Sequence, residues 1–255
     1  MSRIRARILG VVSAAAIVGL SASSCVDNNG SVLLIGVLSP PIATGTGGSA
    51  QCIYTANIIG PFISTGILDI AFSQEYQPQL LLGNQLVAVG NSSLDRVETD
   101  NVIVQGAIVR VVDATGAQLD NFTVPGDGFI PASSGGSPGL GVFGTTIVSP
   151  TAVSALGTVD YGVTRRLVSY VKIFGITTGG THIESGEVGI PVNVCKGCLV
   201  TFPAGANDPA QNPQPNCLLT GQSSSSVTPP CVFGQDQYID CRLCGTNPAC
   251  DPSQR

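Results

Sequence analysis

Apolar and polar positions alternate in short segments along most of the chain after Val32, separated by clusters of Gly, Pro, Ser and Asn. The clearest segment is 101–113, NVIVQGAIVRVVD. Its two alternating faces carry Val102, Val104, Ile108 and Val112 on one side and Ile103, Ala107, Val109 and Val111 on the other. Apolar residues on both faces predict a central strand of a sheet, and Gly106 predicts a bulge within it.

A β-hairpin is predicted at 167–195. Residues 167–177 and 182–195 are strand-like and flank Thr178-Gly179-Gly180-Thr181, a sequence typical of a tight hairpin turn. In the second strand Val188, Ile190, Val192 and Val194 alternate with more polar positions, which predicts one buried face. Pro191 lacks a backbone N–H and therefore predicts an edge strand.

Further strands are predicted at 32–38, 51–57, 66–72, 79–89 and 118–124. Ser149, as N-cap, followed by Pro150 predicts a short helix that ends at Gly157. About eight strands without alternating helices are typical of an antiparallel sandwich. We therefore predict an all-β, Ig-like β-sandwich over residues 32–201, with a jelly roll or a barrel as alternatives.

The composition narrows the possible functions. Charged residues make up 11% of the chain, against about 25% in an average globular protein, and the chain has 32 Gly and 17 Pro. The net charge is −5, with no basic run beyond the N-terminus, which argues against a nucleic-acid partner. His182 is the only histidine, so a His-rich metal site is excluded, and no cofactor is predicted.

The N-terminal segment has the features of an export signal. Arg3, Arg5 and Arg7 precede an uncharged stretch, 8–20, that is shorter than the roughly 20 apolar residues needed to span a bilayer. Small residues follow at 21–24, and then Cys25.

The segment 21–25 resembles the lipobox of bacterial lipoproteins, although Ala22 stands where that family usually has Leu. The resemblance implies removal of a signal peptide, 1–24, and acylation of Cys25, with residues 25–31 as a short tether. Two or three acyl chains would make the membrane a partner of the protein. Val26, where some lipoproteins carry a retention Asp, favours the outer over the inner membrane of the cell envelope. The alternative is an ordinary secretory signal that leaves Cys25 as a thiol.

Eight cysteines remain after Cys25, and seven of them lie in the last 61 residues. These eight are Cys52, Cys195, Cys198, Cys217, Cys231, Cys241, Cys244 and Cys250. An even number in an exported chain predicts four disulfides, although the pairing stays open. Residues 202–255 are therefore predicted to form a disulfide-rich, loop-dominated C-terminal appendage. Two CxxC pairs, at 195–198 and 241–244, leave a four-cysteine zinc site or redox chemistry as alternatives.

Two segments match the residue spacing of catalytic or cofactor-binding motifs but not the secondary structure that those motifs require. Residues 135–139 fit G-x-S-x-G, with Asp160 and His182 downstream, but Pro138 follows the serine and no helix comes next. Residues 139–144 fit G-x-G-x-x-G, yet strand-like residues follow where a dinucleotide site needs a helix. No catalytic residue is therefore predicted.

Carboxylates supply two further hypotheses. Asp95, Glu98 and Asp100 cluster in one loop and are candidates for a Ca²⁺ site, since this cation prefers oxygen ligands. Asp69, Glu75 and Asp160 are candidates for an envelope hydrolase. The function favoured over these is that of a non-enzymatic cell-envelope lipoprotein, a structural, adhesive or protein-binding module, with a metal-binding module based on the C-terminal cysteines as a second alternative.

Overall fold

The computed structural model describes residues 30–42, 51–94, 97–134, 136–202, 217, 227–244 and 247–251. Within these residues the strands are β1 Val32–Leu38, β2 Phe62–Ile63, β3 Gly66–Asp69, β4 Gln79–Asn84, β5 Val102–Asp113, β6 Gln118–Ile130, β7 Gly139–Gly144, β8 Thr164–Thr177, β9 His182–Glu184, β10 Val188–Cys195, β11 Val200–Thr201 and β12 Ile239–Asp240. One short α-helix, α1, spans Pro150–Ala155. No helix in the described ranges is both long and apolar enough to cross a membrane.

The described strands form two large sheets. One has the order β2-β1-β4-β7, and the other has the order β3-β10-β8-β5-β6 with β9 paired to β8. A continuous core lies between them and takes side chains from both sheets, including Leu80 and Phe143 from one and Val109 and Leu167 from the other. The predicted all-β sandwich is confirmed, and β5 lies between β6 and β8 as a central strand.

The bulge predicted at Gly106 is confirmed, and it changes which residues face the core. The register of β5 shifts between Val104 and Gly106 against both neighbouring strands. Val102 and Val104 face the core before the bulge, whereas Ala107, Val109 and Val111 face it afterwards. The two faces predicted by strict alternation are therefore wrong beyond Gly106, because one extra residue reverses the phase.

The predicted hairpin is confirmed at its turn, where the Thr177 N–H donates to the Thr181 carbonyl over 2.8 Å. Its second arm is divided into β9 and β10 by residues 185–187. Pro191 does not lie on an edge strand, because β10 pairs with both β8 and β3. However, β3 pairs with β10 only from Val192 onward, so Pro191 sits just before that side becomes covered.

The short helix is confirmed, with the Ser149 hydroxyl accepting a hydrogen bond from the Ala152 N–H at 3.0 Å. The strand predicted at 51–57 is wrong, since this segment forms a loop beyond a single bridge at Gln51. Its apolar residues are spaced too irregularly to bury one face, and Ile53 is 63% exposed.

The sandwich has two distinct ends. At the end that the predicted tether would join, called the anchor end below, β1 begins at Val32, β4 ends at Asn84 and β8 ends at Thr177. At the opposite end, called the tip below, β3 ends at Asp69 and β10 ends beside it at Cys195, which is its register partner. The C-terminal segment packs at the tip, where β11 pairs in parallel with β12.

Candidate functional site at the tip of the sandwich

Four disulfides hold the tip together, and they account for all eight cysteines after Cys25. The pairs are Cys52–Cys231, Cys195–Cys198, Cys217–Cys241 and Cys244–Cys250. The disulfide bonding predicted from the cysteine count is thus confirmed, and the structure supplies the pairing. The Cys52–Cys231 bond spans 179 residues of sequence and joins the loop after β1 to the C-terminal segment.

The two CxxC motifs do not meet as a four-cysteine site. Cys195 and Cys198 bond to each other, whereas Cys241 and Cys244 bond to different partners outside their own motif. The Asp69 carboxylate lies close to the sulfurs of Cys195 and Cys198, but both sulfurs are engaged in the disulfide. A zinc site would require these sulfurs as free thiolates.

Asp69, a candidate for hydrolase chemistry, is fully buried beneath the CxxC turn. Its carboxylate accepts hydrogen bonds from the backbone N–H groups of Ala71 at 3.1 Å, Gly197 at 2.6 Å and Leu199 at 3.0 Å. These contacts satisfy a buried charge and fix the turn between β10 and β11. Asp69 therefore has a structural role at the tip.

The other two hydrolase candidates have different surroundings. Glu75 accepts a hydrogen bond from the side-chain amide of Gln77 at 2.6 Å. Asp160 is exposed in the loop before β8. The three carboxylates therefore do not share the environment that a pair of acid and base groups needs.

A hydrogen bond between the buried Tyr76 and the partly buried Asp236 fastens the C-terminal segment to the sandwich. The sequence patterns did not indicate this pair. The Tyr76 hydroxyl donates to the Asp236 carboxylate over 2.7 Å, and the Ile67 N–H donates to the same carboxylate over 2.8 Å. Burial raises the pKa of the Asp236 carboxyl, against the effect of these two hydrogen bonds. Burial and the neighbouring Asp236 charge also raise the pKa of Tyr76.

Two glutamines complete this attachment. Gln235 accepts from the Gln77 N–H at 2.9 Å and donates to the Glu75 carbonyl at 3.1 Å. Gln237 accepts from the Cys231 N–H at 2.6 Å and donates to the Pro41 carbonyl at 3.1 Å. The C-terminal segment is therefore bound to the residues that follow β1 and β3 by side-chain hydrogen bonds as well as by a disulfide.

Large apolar side chains are exposed on this framework, and we call them the tip surface. Its members and their exposed fractions are Ile42 83%, Ile53 63%, Ile58 54%, Ile59 88% and Tyr238 73%. The loop that carries three of them begins at the Cys52 disulfide and ends at Pro61, whose carbonyl accepts from the Ser39 N–H at 3.0 Å. Exposed apolar side chains grouped at one end of a domain make a candidate interaction site.

A groove opens within the tip surface. Its volume is about 350 Å³, and it is lined by Ile42, Thr228, Pro229, Pro230, Asp236, Gln237 and Tyr238. Prolines and an exposed tyrosine provide rigid contact area that loses little conformational entropy on binding. The geometry suits an apolar side chain or a short segment of a protein partner.

Two of the three predicted Ca²⁺ ligands, Glu98 and Asp100, lie at the anchor end. Both carboxylate oxygens of Glu98 accept backbone N–H groups, from Gly90 and from Asp100, each at 2.8 Å, and these bonds lower the pKa of Glu98. Asp100 accepts from the Thr99 hydroxyl at 3.3 Å. Asp95 lies outside the described residues, as does Cys25, the predicted acylation site.

The segments that match the G-x-S-x-G and G-x-G-x-x-G motifs form a loop and a strand. Gly139–Gly144 forms strand β7, and Gly135 lies outside the described residues. Ser137 forms a backbone bridge with Ser134, and His182 is exposed at the start of β9.

Comparisons with known proteins add little to this picture. No model of a protein family matches the chain, and no curated protein sequence matches it. Among solved structures, the chain is similar to the solution structure of a protein described as late embryogenesis abundant, with 13% identity and a TM-score of 0.26. The match covers 47% of this chain and 58% of that one.

Proposed function

We propose that this protein is a lipid-anchored component of the cell envelope that binds another protein through its tip surface. Acyl chains on Cys25 hold it to the membrane, more readily the outer than the inner, and residues 25–31 act as the tether. The sandwich serves as a rigid support, and the protein has no enzymatic role of its own.

One observation carries the proposal: the exposed isoleucines of the tip surface lie at the opposite end of the sandwich from Val32, where the tether joins β1. Seven tether residues reach at most about 25 Å when fully extended. A short tether keeps the anchor end near the membrane, so the tip surface is directed away from it. The disulfide and hydrogen bonds beneath the tip surface keep it ordered outside the cytoplasm, which favours binding.

The anchor is tested by intact mass of protein purified from a bacterial envelope, after alkylation of free thiols with and without prior reduction. The expected mass begins at Cys25 and includes acyl chains, and eight thiols are alkylated only after reduction. A mass without acyl chains would refute the lipoprotein proposal.

Partner binding is tested by a photo-crosslinking amino acid placed at Ile59, which is 88% exposed on the tip surface. The matched control places the same group at Phe129, an aromatic residue that is 57% exposed on β6. We expect a discrete crosslinked product in intact cells for the Ile59 variant alone. Equal products from both positions, or none from Ile59, would contradict binding at the tip surface.

A further inference from the structure

A second apolar surface lies at the anchor end, beside the point where the tether joins the sandwich. The Gln85 N–H donates to the Ser31 carbonyl over 2.8 Å, so the loop that follows β4 starts in contact with the tether. Ser31 is six residues beyond Cys25. Six extended residues reach only about 20 Å, roughly half the thickness of a bilayer.

Four aliphatic side chains of this loop are exposed, and we call them the anchor patch. They are Val87 at 68%, Val89 at 38%, Leu94 at 72% and Val97 at 79%. A neighbouring residue of the same loop, Leu86, packs against the core instead. The loop therefore divides its apolar residues between the interior and the outside, which costs free energy in water unless another apolar phase covers the exposed part.

Hydrogen bonds attach both sides of the loop to the sandwich. The Ala88 N–H donates to the Ser133 carbonyl at 3.0 Å, and the Ser133 N–H donates to the Leu86 carbonyl at 2.7 Å. Asn84, which is fully buried, donates to the carbonyls of Asp100 at 2.8 Å and Pro131 at 3.1 Å.

Glu98 closes the same loop, because its carboxylate binds the N–H groups of Gly90 and Asp100 on the two sides of the loop. The two backbone N–H groups therefore supply partners for the Glu98 carboxylate that do not require a bound cation.

We infer that the anchor patch inserts into the lipid surface next to the acylated Cys25, so that the protein contacts the membrane through side chains as well as through its lipid. The inference rests on the proposed acylation. The occupant is a bilayer, because the tether brings this end of the sandwich to within reach of the headgroups. Apolar side chains at such a surface enter about 5–10 Å, to the boundary between headgroups and acyl chains. The four side chains of the anchor patch are uncharged, so the attraction is apolar and a neutral lipid suffices.

The test uses the absence of tryptophan from the chain. Leu94→Trp places a single indole in the anchor patch, and Tyr238→Trp places one at the tip surface as the matched control, since Leu94 is 72% and Tyr238 73% exposed. Each acylated variant, verified by intact mass, is reconstituted into phosphatidylcholine vesicles with or without bromine atoms on the acyl chains. We expect the Leu94→Trp emission to shift to shorter wavelength and to be quenched by the brominated lipid, and the Tyr238→Trp emission to show neither effect.

A further variant separates insertion from simple proximity to the anchor. Adding Val87→Asp and Val97→Asp to Leu94→Trp should abolish the quenching, while the acyl chains keep the protein on the vesicles and its thermal unfolding is unchanged. Unquenched emission from acylated Leu94→Trp, or quenching that survives the two Asp substitutions, would overturn the inference and leave the proposed function standing. A mass without acyl chains would overturn both.

Discussion

At the scale of single residues, one buried and one partly buried carboxylate connect distant parts of the chain. Asp69 binds three backbone N–H groups, and Asp236 binds one N–H and the Tyr76 hydroxyl. Both carboxylates connect segments that are more than 120 residues apart in sequence, as the separations of 128 and 169 residues for Gly197–Asp69 and Ile67–Asp236 indicate. A chain with few charged residues thus uses two of its acidic side chains to attach its C-terminal part.

Asp69→Ala should strongly destabilise the protein. The substitution removes the three hydrogen bonds that the N–H groups of Ala71, Gly197 and Leu199 donate to the carboxylate, and a buried donor that loses its only acceptor costs about 1–3 kcal/mol. We expect the free energy of unfolding, measured by urea denaturation, to fall by about 3 kcal/mol or more. Asp160→Ala is the control, because Asp160 is exposed, and should change it by less than about 0.5 kcal/mol. Similar small losses in both variants would contradict a structural part for Asp69.

At the scale of elements, the bulge in β5 decides which side chains reach the core. Gly106 has no side chain where a Cβ would collide with the Val124 carbonyl oxygen and lie 2.8 Å from the Phe174 ring. The neighbouring strands therefore approach closely at this point, and the strand changes phase there. Glycine at this position is required by a close approach between strands.

Gly106→Ala should destabilise the sandwich by about 1–3 kcal/mol, the usual cost of forcing extra volume into a packed site. The matched control is Gly186→Ala, since a Cβ at Gly186 meets no atom within 4 Å. Thermal unfolding of the two variants beside the parent measures the difference. A melting temperature that falls equally in both would show that the effect is the general one of replacing glycine, and not the contact with Val124 and Phe174.

At the scale of the whole molecule, the two ends of the sandwich carry different apolar surfaces, and the C-terminal segment belongs to only one of them. The tip is closed by the Cys52–Cys231 disulfide across 179 residues of sequence. The Cys244–Cys250 disulfide, by contrast, closes six residues within the segment itself. In the chain-entropy account, the stabilisation from a disulfide grows with the length of the loop that it closes.

Replacing both Cys52 and Cys231 by Ser should lower the free energy of unfolding by about 2–5 kcal/mol. Limited proteolysis should then cleave within 227–251 sooner than in the parent protein. The Cys244→Ser, Cys250→Ser double variant should lose less stability, because its loop is short. If the two double variants lose equal stability, the long disulfide does not fasten the tip as described.

The sequence by itself determined the class of fold and much of its local structure. The period of two predicted most of the long strands, although not β7 and wrongly a strand at 51–57. Ser149-Pro150 predicted α1, the Gly-Gly pair predicted the turn after β8, and the even cysteine count predicted disulfides. These features depend on backbone propensities and on neighbours within a few residues, which a sequence displays directly. The acylation of Cys25 and the binding of a partner stay predictions.

Only the tertiary structure decided the rest. The cysteine pairing, the Tyr76–Asp236 hydrogen bond and the grouping of Ile42, Ile59 and Tyr238 join residues far apart in sequence, which no local pattern encodes. The sequence predicted a bulge at Gly106. Which residues of β5 are buried beyond it depended on the strands at either side. The two apolar surfaces lie at opposite ends because β1 runs from Val32 at one end of the sandwich to Leu38 at the tip, beside the C-terminal segment.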